Sequence, residues 1–101
     1  MAIVELGHTG LWVDDLAAMR AFYTRVLGLT VTDEDDELGI VFLSSRPELE
    51  HHELVLQRGR TAPRAAKLTH QISWRVDSNE CLLGSWRSAH VGHFVGMVPA
   101  R

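Results

Sequence analysis

LGHTGLWVDDLAAMRAFYTRVLGLTVT, residues 6–32, carries the signals that decide the fold. With the residues just before it, Ile3, Val4, Leu11, Trp12 and Val13 alternate imperfectly with polar neighbours, so residues 3–13 read as a first strand containing Gly7 and Gly10. A missing side chain lets another backbone or a ligand come close, and a β-bulge accounts for the glycines equally well. Asp14 and Asp15 follow, where a carboxylate can accept the free N–H groups of a helix's first turn. Leu16, Met19, Tyr23, Val26 and Leu27 then recur at three- and four-residue spacing, and Gly28 supplies a left-handed stop. The stretch predicts a strand, an amphipathic helix and the start of a second strand.

Downstream, residues 29–32 and 39–44 read as two further strands. Between them, Asp33 to Leu38 opens with five adjacent acids, DEDDE, whose mutual repulsion argues for a hairpin turn rather than a pairing strand. The acids lack the alternate-position ligands and closing Glu of a calcium loop. After a loop starting at Arg46 and Pro47, residues 51–58 form the next strand, because Leu54 and Leu56 alternate with Glu53, Val55 and Gln57. The first unit is thus β-α-β-β-β over residues 1–58. Residues 59–67, GRTAPRAAK, make a surface connection. Residues 69–76 form another strand, and Asp77 with Glu80 can cap a second helix reciprocally. A strand with a histidine near its start, then an acid-capped helix, therefore occurs twice. Only 21 residues remain from Cys81 to Arg101, too few for a helix and three strands, so residues 69–101 form an incomplete second module within one 101-residue domain. The fold class is α+β.

Composition narrows the function classes. The chain is 46% hydrophobic and 23% charged, a balance that suits a soluble globular protein. Its apolar runs fall far short of the roughly 20 residues that span a bilayer. The first residues carry Glu5 and no basic n-region, which favours a cytoplasmic address over a secretory one. Residues 1–53 hold 11 acids and 3 bases, and residues 54–101 hold 2 acids and 7 bases. That split reads as two solvated faces, without the dense basic surface and interleaved aromatics of a nucleic-acid binder. Neither nucleic acid nor membrane is an expected partner. A single cysteine, Cys81, excludes an internal disulfide and a multi-cysteine metal site. His90 and His93 with Cys81 match no closed zinc spacing.

Of six histidines, His8, His51, His52 and His70 lie on or beside expected strands. Neutral imidazoles are common metal ligands, and two of them with one carboxylate leave open positions on Fe(II). A lone strand histidine is as readily a surface or hydrogen-bonded residue. No nucleophile elbow, Walker loop or G-x-G-x-x-G run occurs, so hydrolase and dinucleotide-binding readings have no support. Trp12, Trp74 and Trp86 can line a cleft, with core packing the preferred reading.

Residues 6–32, IVFLSSRPELEHHELVLQRG (40–59) and KLTHQISWRVDS (67–78) resemble the vicinal oxygen chelate superfamily of glyoxalases, bleomycin-resistance proteins and extradiol ring-cleaving dioxygenases. FLSSRPELEHHELVL (42–56) is most similar to single-domain catechol dioxygenase-like members. The resemblance implies β-α-β-β-β modules curving into a half-barrel, with ligands on their first and last strands. It places ligand roles on His8 and His70. The dioxygenase pattern takes a third ligand, a glutamate, from the last strand of the second module, where this chain has none. The glyoxalase pattern adds a glutamate onto which Glu53 falls, and Glu53 points away from the Leu54 and Leu56 face, as a cavity ligand or a solvent-facing acid would. His52 shares the Leu54 face and is given a packing role.

The segment after Glu80 departs from the family pattern, as though truncated or altered in reading frame. The leading functional expectation is an extradiol-type dioxygenase with Fe(II) or Mn(II), acting on a catechol-like small molecule. The alternatives are a glyoxalase-type isomerase or lyase with Zn(II) or Ni(II), and a metal-free bleomycin-resistance-like binding module. One module leaves a sheet face and edge uncovered, so a homodimer is expected. The competing expectation is a monomer whose tail, HVGHFVGMV, returns as an edge strand.

Overall fold

The computed structural model describes residues 1–77, 85–86 and 94–99, and the chain divides into two units, Met1–Thr61 and Ala62–Arg101. In the first unit, strand β1 (Thr9–Val13) leads into helix α1 (Leu16–Ala21), which Asp15 caps by accepting a 3.0 Å hydrogen bond from the Ala18 N–H. The helix continues as a π-helical turn over Phe22–Val26. Thr24 contributes to that widening, since its hydroxyl donates to the Arg20 carbonyl at 2.8 Å and draws on the ladder from the side. Gly28 then ends the helix at φ 78°, as the sequence implies. Met19 and Tyr23 of the expected apolar face are fully buried, whereas Val26 is exposed, because the π turn rotates it away from the sheet.

Strands β2 (Thr30–Asp35), β3 (Ile40–Ser44) and β4 (Leu54–Arg58) complete a four-stranded sheet in the order β1-β4-β3-β2. β4 runs parallel to β1 and antiparallel to β3. Register assigns the faces: Leu54 and Leu56 stand beside Leu11, Val41 and Leu43 on the helix side, while Gly10, Trp12, Ile40, Phe42, Val55 and Gln57 share the opposite face. The helix-side residues Val13, Val41, Leu43, Leu54 and Leu56 are at most 5% exposed. Burying each such side chain contributes about 1.5–3 kcal/mol, which makes this layer the main stabilising element of the unit.

The structure corrects three boundaries. The first strand begins at Thr9, and Ile3, Val4 and Leu6 are exposed rather than paired. Strand β4 begins at Leu54, so His51 and His52 precede it. The acids expected to form only a turn enter a strand: Asp33, Glu34 and Asp35 pair with Phe42, Val41 and Ile40. Cross-strand repulsion does not arise because every residue opposite an acid is apolar. Glu34 is further held by a bidentate Arg20 guanidinium at 3.1 and 3.3 Å. The register shifts at Thr32, and the turn itself is completed by Gly39 at φ 67°.

In the second unit, β5 (Gln71–Arg75), β6 (Ser85–Trp86) and β7 (Phe94–Val98) form a sheet in the order β5-β7-β6. β7 lies parallel to β5 and antiparallel to β6, with Val95 fully buried. The tail strand is therefore central rather than at an edge. Gly96 fits against Ser73, whose Oγ would lie 2.8 Å from any added Cβ. The expected second helix, the Glu80 cap, Cys81, His90 and His93 lie outside the described residues. Trp12 is 63% exposed and Trp74 half-buried, so core packing does not account for Trp12.

Candidate functional site

His8 stands immediately before β1, and the ladder continues past it, since the Thr9 N–H donates to the Glu53 carbonyl at 3.0 Å. His8 and Glu53 are thereby brought opposite one another at one end of the sheet. Three imidazoles gather there. The rings of His8 and His52 lie 4.3 Å apart, Nδ1 of His51 and Nδ1 of His52 are 2.8 Å apart, and Phe42 approaches His52 at 5.0 Å and His51 at 5.8 Å. Phe42 belongs to the face opposite the helix. His52 thus joins the open face rather than packing with Leu54, because it lies before the ladder in which alternation fixes direction. Burial lowers the pKa of His52, and the neighbouring His8 and His51 lower it further, against an opposing pull from Glu50.

Glu53 is committed locally. Its Oε1 accepts the Ser45 N–H at 2.8 Å and the Ser45 hydroxyl at 2.7 Å, and its Oε2 lies 3.4 Å from Nε of Arg46. Partial burial pushes the carboxyl up, but the Ser45 donors and the Arg46 charge outweigh it and hold the group below the usual carboxylate range. This clamp closes the loop between β3 and β4. His70 is exposed, just before β5 in the second unit. The structure therefore brings His8 and Glu53 together within the first unit, with His51 and His52 as additional members of the cluster. The short loop after Arg46 and the adjacent histidines were the available sequence signals for that addition.

On the same open face a hollow of about 240 Å³ is lined by Gly10, Leu11, Trp12, Val55 and Gln57. Trp12 is seated by the return of the chain: the Gly59 and Arg60 N–H groups both donate to the Val13 carbonyl, at 2.9 and 3.2 Å. A Cβ on Gly59 would lie 3.5 Å from the Trp12 ring.

A parallel-and-antiparallel sheet in the order β1-β4-β3-β2, one helix against one face and an open face bearing histidines define a β-α-β-β-β module. A family profile described as the Glyoxalase/Bleomycin resistance protein/Dioxygenase superfamily matches residues 5–98, and the chain belongs to that superfamily. Among curated proteins, 1,2-dihydroxynaphthalene dioxygenase of Sphingobium xenophagum is 38% identical over 75 residues, covering 74% of this chain and 22% of that protein. Among solved structures, a homoprotocatechuate 2,3-dioxygenase variant from B. fuscum in complex with HPCA aligns at 36% identity and a TM-score of 0.54, over 79% of this chain and 20% of that one. A second variant of the same enzyme aligns at 36% identity and a TM-score of 0.51, over 76% and 19%. The chain thus spans about a fifth of the length of these relatives.

Relatives of the extradiol kind imply a divalent metal. Among the described residues, no group of three His, Cys, Asp or Glu side chains is placed to hold an ion. Glu53 already spends both oxygens on Ser45 and Arg46, and His8 and His70 belong to separate units. The described side chains do not by themselves fit a complete metal centre. Among the described residues, no helix is long and apolar enough to cross a membrane.

Proposed function

We propose that the chain takes part in extradiol-type cleavage of a catechol-like aromatic diol, as a module of the ring-cleaving dioxygenase branch. The observation that carries this reading is the open face of the first sheet, half-exposed and apolar at Ile40, Phe42 and Val55, in a module whose sequence is 36% identical to a ring-cleaving enzyme over 79% of the chain. A sheet face of this kind can hold a flat ring and exclude water from it. In this reading His8 and His70 are the chain's nitrogen donors toward a divalent ion, Fe(II) or Mn(II), which supplies the redox chemistry between ring and oxygen when bound. A second copy of the chain is the proposed source of further donors, in a homodimer. Glu53 is the carboxylate nearest the role of third donor, and it would first have to leave its Ser45 and Arg46 partners.

Metal content and turnover test the reading together. Tag-free protein reconstituted anaerobically with Fe(II) and assayed with 1,2-dihydroxynaphthalene is expected to consume oxygen. His8→Ala and His70→Ala are each expected to lower bound iron by mass spectrometry. Equal iron in wild type and both variants overturns the donor assignment. Iron-loaded protein that consumes no oxygen with any catechol overturns the activity.

A further inference from the structure

We propose that the hollow between β1 and β4 is a binding site for one flat aromatic molecule, a single ring or two fused rings bearing one hydrogen-bonding substituent. The proposal deepens the ring-cleaving reading and rests on it only for the choice of an aromatic probe.

Size sets the ligand class. A cavity of about 150 Å³ is enough for benzene, and sites for drug-sized ligands run from about 300 Å³ upward. The hollow, at about 240 Å³, lies between these, so it suits one or two rings and nothing longer.

The lining sets the chemistry. Register pairs Gly10 with Val55 and Trp12 with Gln57, so these four positions form one patch on the open face. Gly10 makes the room: a Cβ there would meet Val55 at an ordinary 3.7 Å, so the backbone would tolerate a side chain, and its absence leaves space that the strand does not need. Trp12 makes the wall. An indole 63% exposed exposes much apolar surface to water, and here it is anchored by the Gly59–Arg60 return rather than free to collapse onto the core. A fixed exposed indole offers a stacking surface to a planar ring at little cost in side-chain entropy. Gln57 is the lining side chain that offers both a donor and an acceptor, and so can read a hydroxyl on the ring.

The test uses the full chain in EDTA with 2-naphthol as probe, so that neither metal nor turnover is involved. Two-dimensional ¹H–¹⁵N NMR follows the Gly10 amide and the side-chain carboxamide of Gln57, one of two glutamines in the chain. Saturable shifts at both groups are expected. Gly10→Val suits a strand and fills the hollow, so it is expected to keep the wild-type spectrum elsewhere and weaken 2-naphthol binding at least tenfold. Gln57→Leu is expected to bind naphthalene as well as 2-naphthol, losing the preference for the hydroxyl. Shifts centred elsewhere, or undiminished binding by a folded Gly10→Val variant, overturn the site. So does an absence of binding at millimolar probe, including the case in which sedimentation shows a second copy of the chain covering this face. Failure of ring cleavage with intact 2-naphthol binding refutes the ring-cleaving reading and leaves this site standing.

Discussion

Replacing Glu53 with Gln separates a structural clamp from a metal ligand. In the folded chain the carboxylate accepts two hydrogen bonds from Ser45 and faces Arg46, and its side chain is 21% exposed. Hydrogen bonds to a charged acceptor contribute about 1.5–3 kcal/mol where water is excluded. Ser45 and Arg46 are exposed, so water competes for them, and the Arg46 pair belongs to the surface class worth about 0–1 kcal/mol. Glutamine keeps the shape and one acceptor oxygen, so Glu53→Gln is expected to cost about 1 kcal/mol at pH 7. For a unit of this size that corresponds to a melting temperature lower by roughly 4–8 °C. The pH dependence follows from the depressed pKa. The stabilisation is complete above the ordinary value of 4.5 and is lost as pH falls through the lower folded value. Urea unfolding of wild type and variant in metal-free buffer at pH 7, 5 and 3 checks this: the gap should be full at 7, little changed at 5 and shrinking at 3. Equal stability at pH 7, or a gap unchanged at pH 3, refutes the clamp. Equal metal-free stability with lower metal content in the variant would instead make Glu53 a ligand.

Leu56→Ala, on the central strand β4 and fully buried between helix and sheet, is expected to lower unfolding free energy by about 2–5 kcal/mol in urea denaturation. Asp15→Ala removes the acceptor of the Ala18 N–H and should cost about 1 kcal/mol by the same measurement. Gly39→Ala places a Cβ at φ 67° and 2.8 Å from the Arg58 guanidinium, and is expected to cost about 1–2 kcal/mol, with Arg58→Ala relieving only the clash. Sedimentation equilibrium over a wide concentration range is expected to show a dimer of the 11.3 kDa chain, and a soluble folded species that stays at the monomer mass refutes it.

The helix, its Asp15 cap, its Gly28 stop and the three strands after it were legible because each rests on local chemistry: a carboxylate before free N–H groups, a residue without Cβ at a left-handed position, alternation in a half-buried ladder. Reading failed where the deciding partner was distant. DEDDE looked unfit for a strand because its charges are adjacent in sequence, whereas pairing sets each of Asp33, Glu34 and Asp35 against an apolar residue of β3. What governs a sheet is the residue across the ladder, and that is not visible until the hairpin register is known.

The same limit explains what was and was not legible in the candidate site. His8 stands out in sequence because it lies at the mouth of a strand, and its position there is a backbone matter fixed by the Thr9–Glu53 hydrogen bond. His52 was assigned to the wrong face because alternation was extended two residues beyond the strand that enforces it. β4 begins at Leu54, and upstream of it the chain is free to turn the imidazole toward Phe42 and His8. Glu53 keeps the parity the sequence gives it, yet its carboxylate is captured by Ser45, eight residues earlier, as the loop closes. Periodicity determines which way a strand residue leaves the backbone, and loop closure determines what a charged side chain meets at the end of it. A donor set inferred from parity alone is therefore an inventory of candidates. Which of them bind an ion depends on whether the ion's attraction exceeds that of the partners already holding the carboxylate, and Glu53→Gln measures that contest directly.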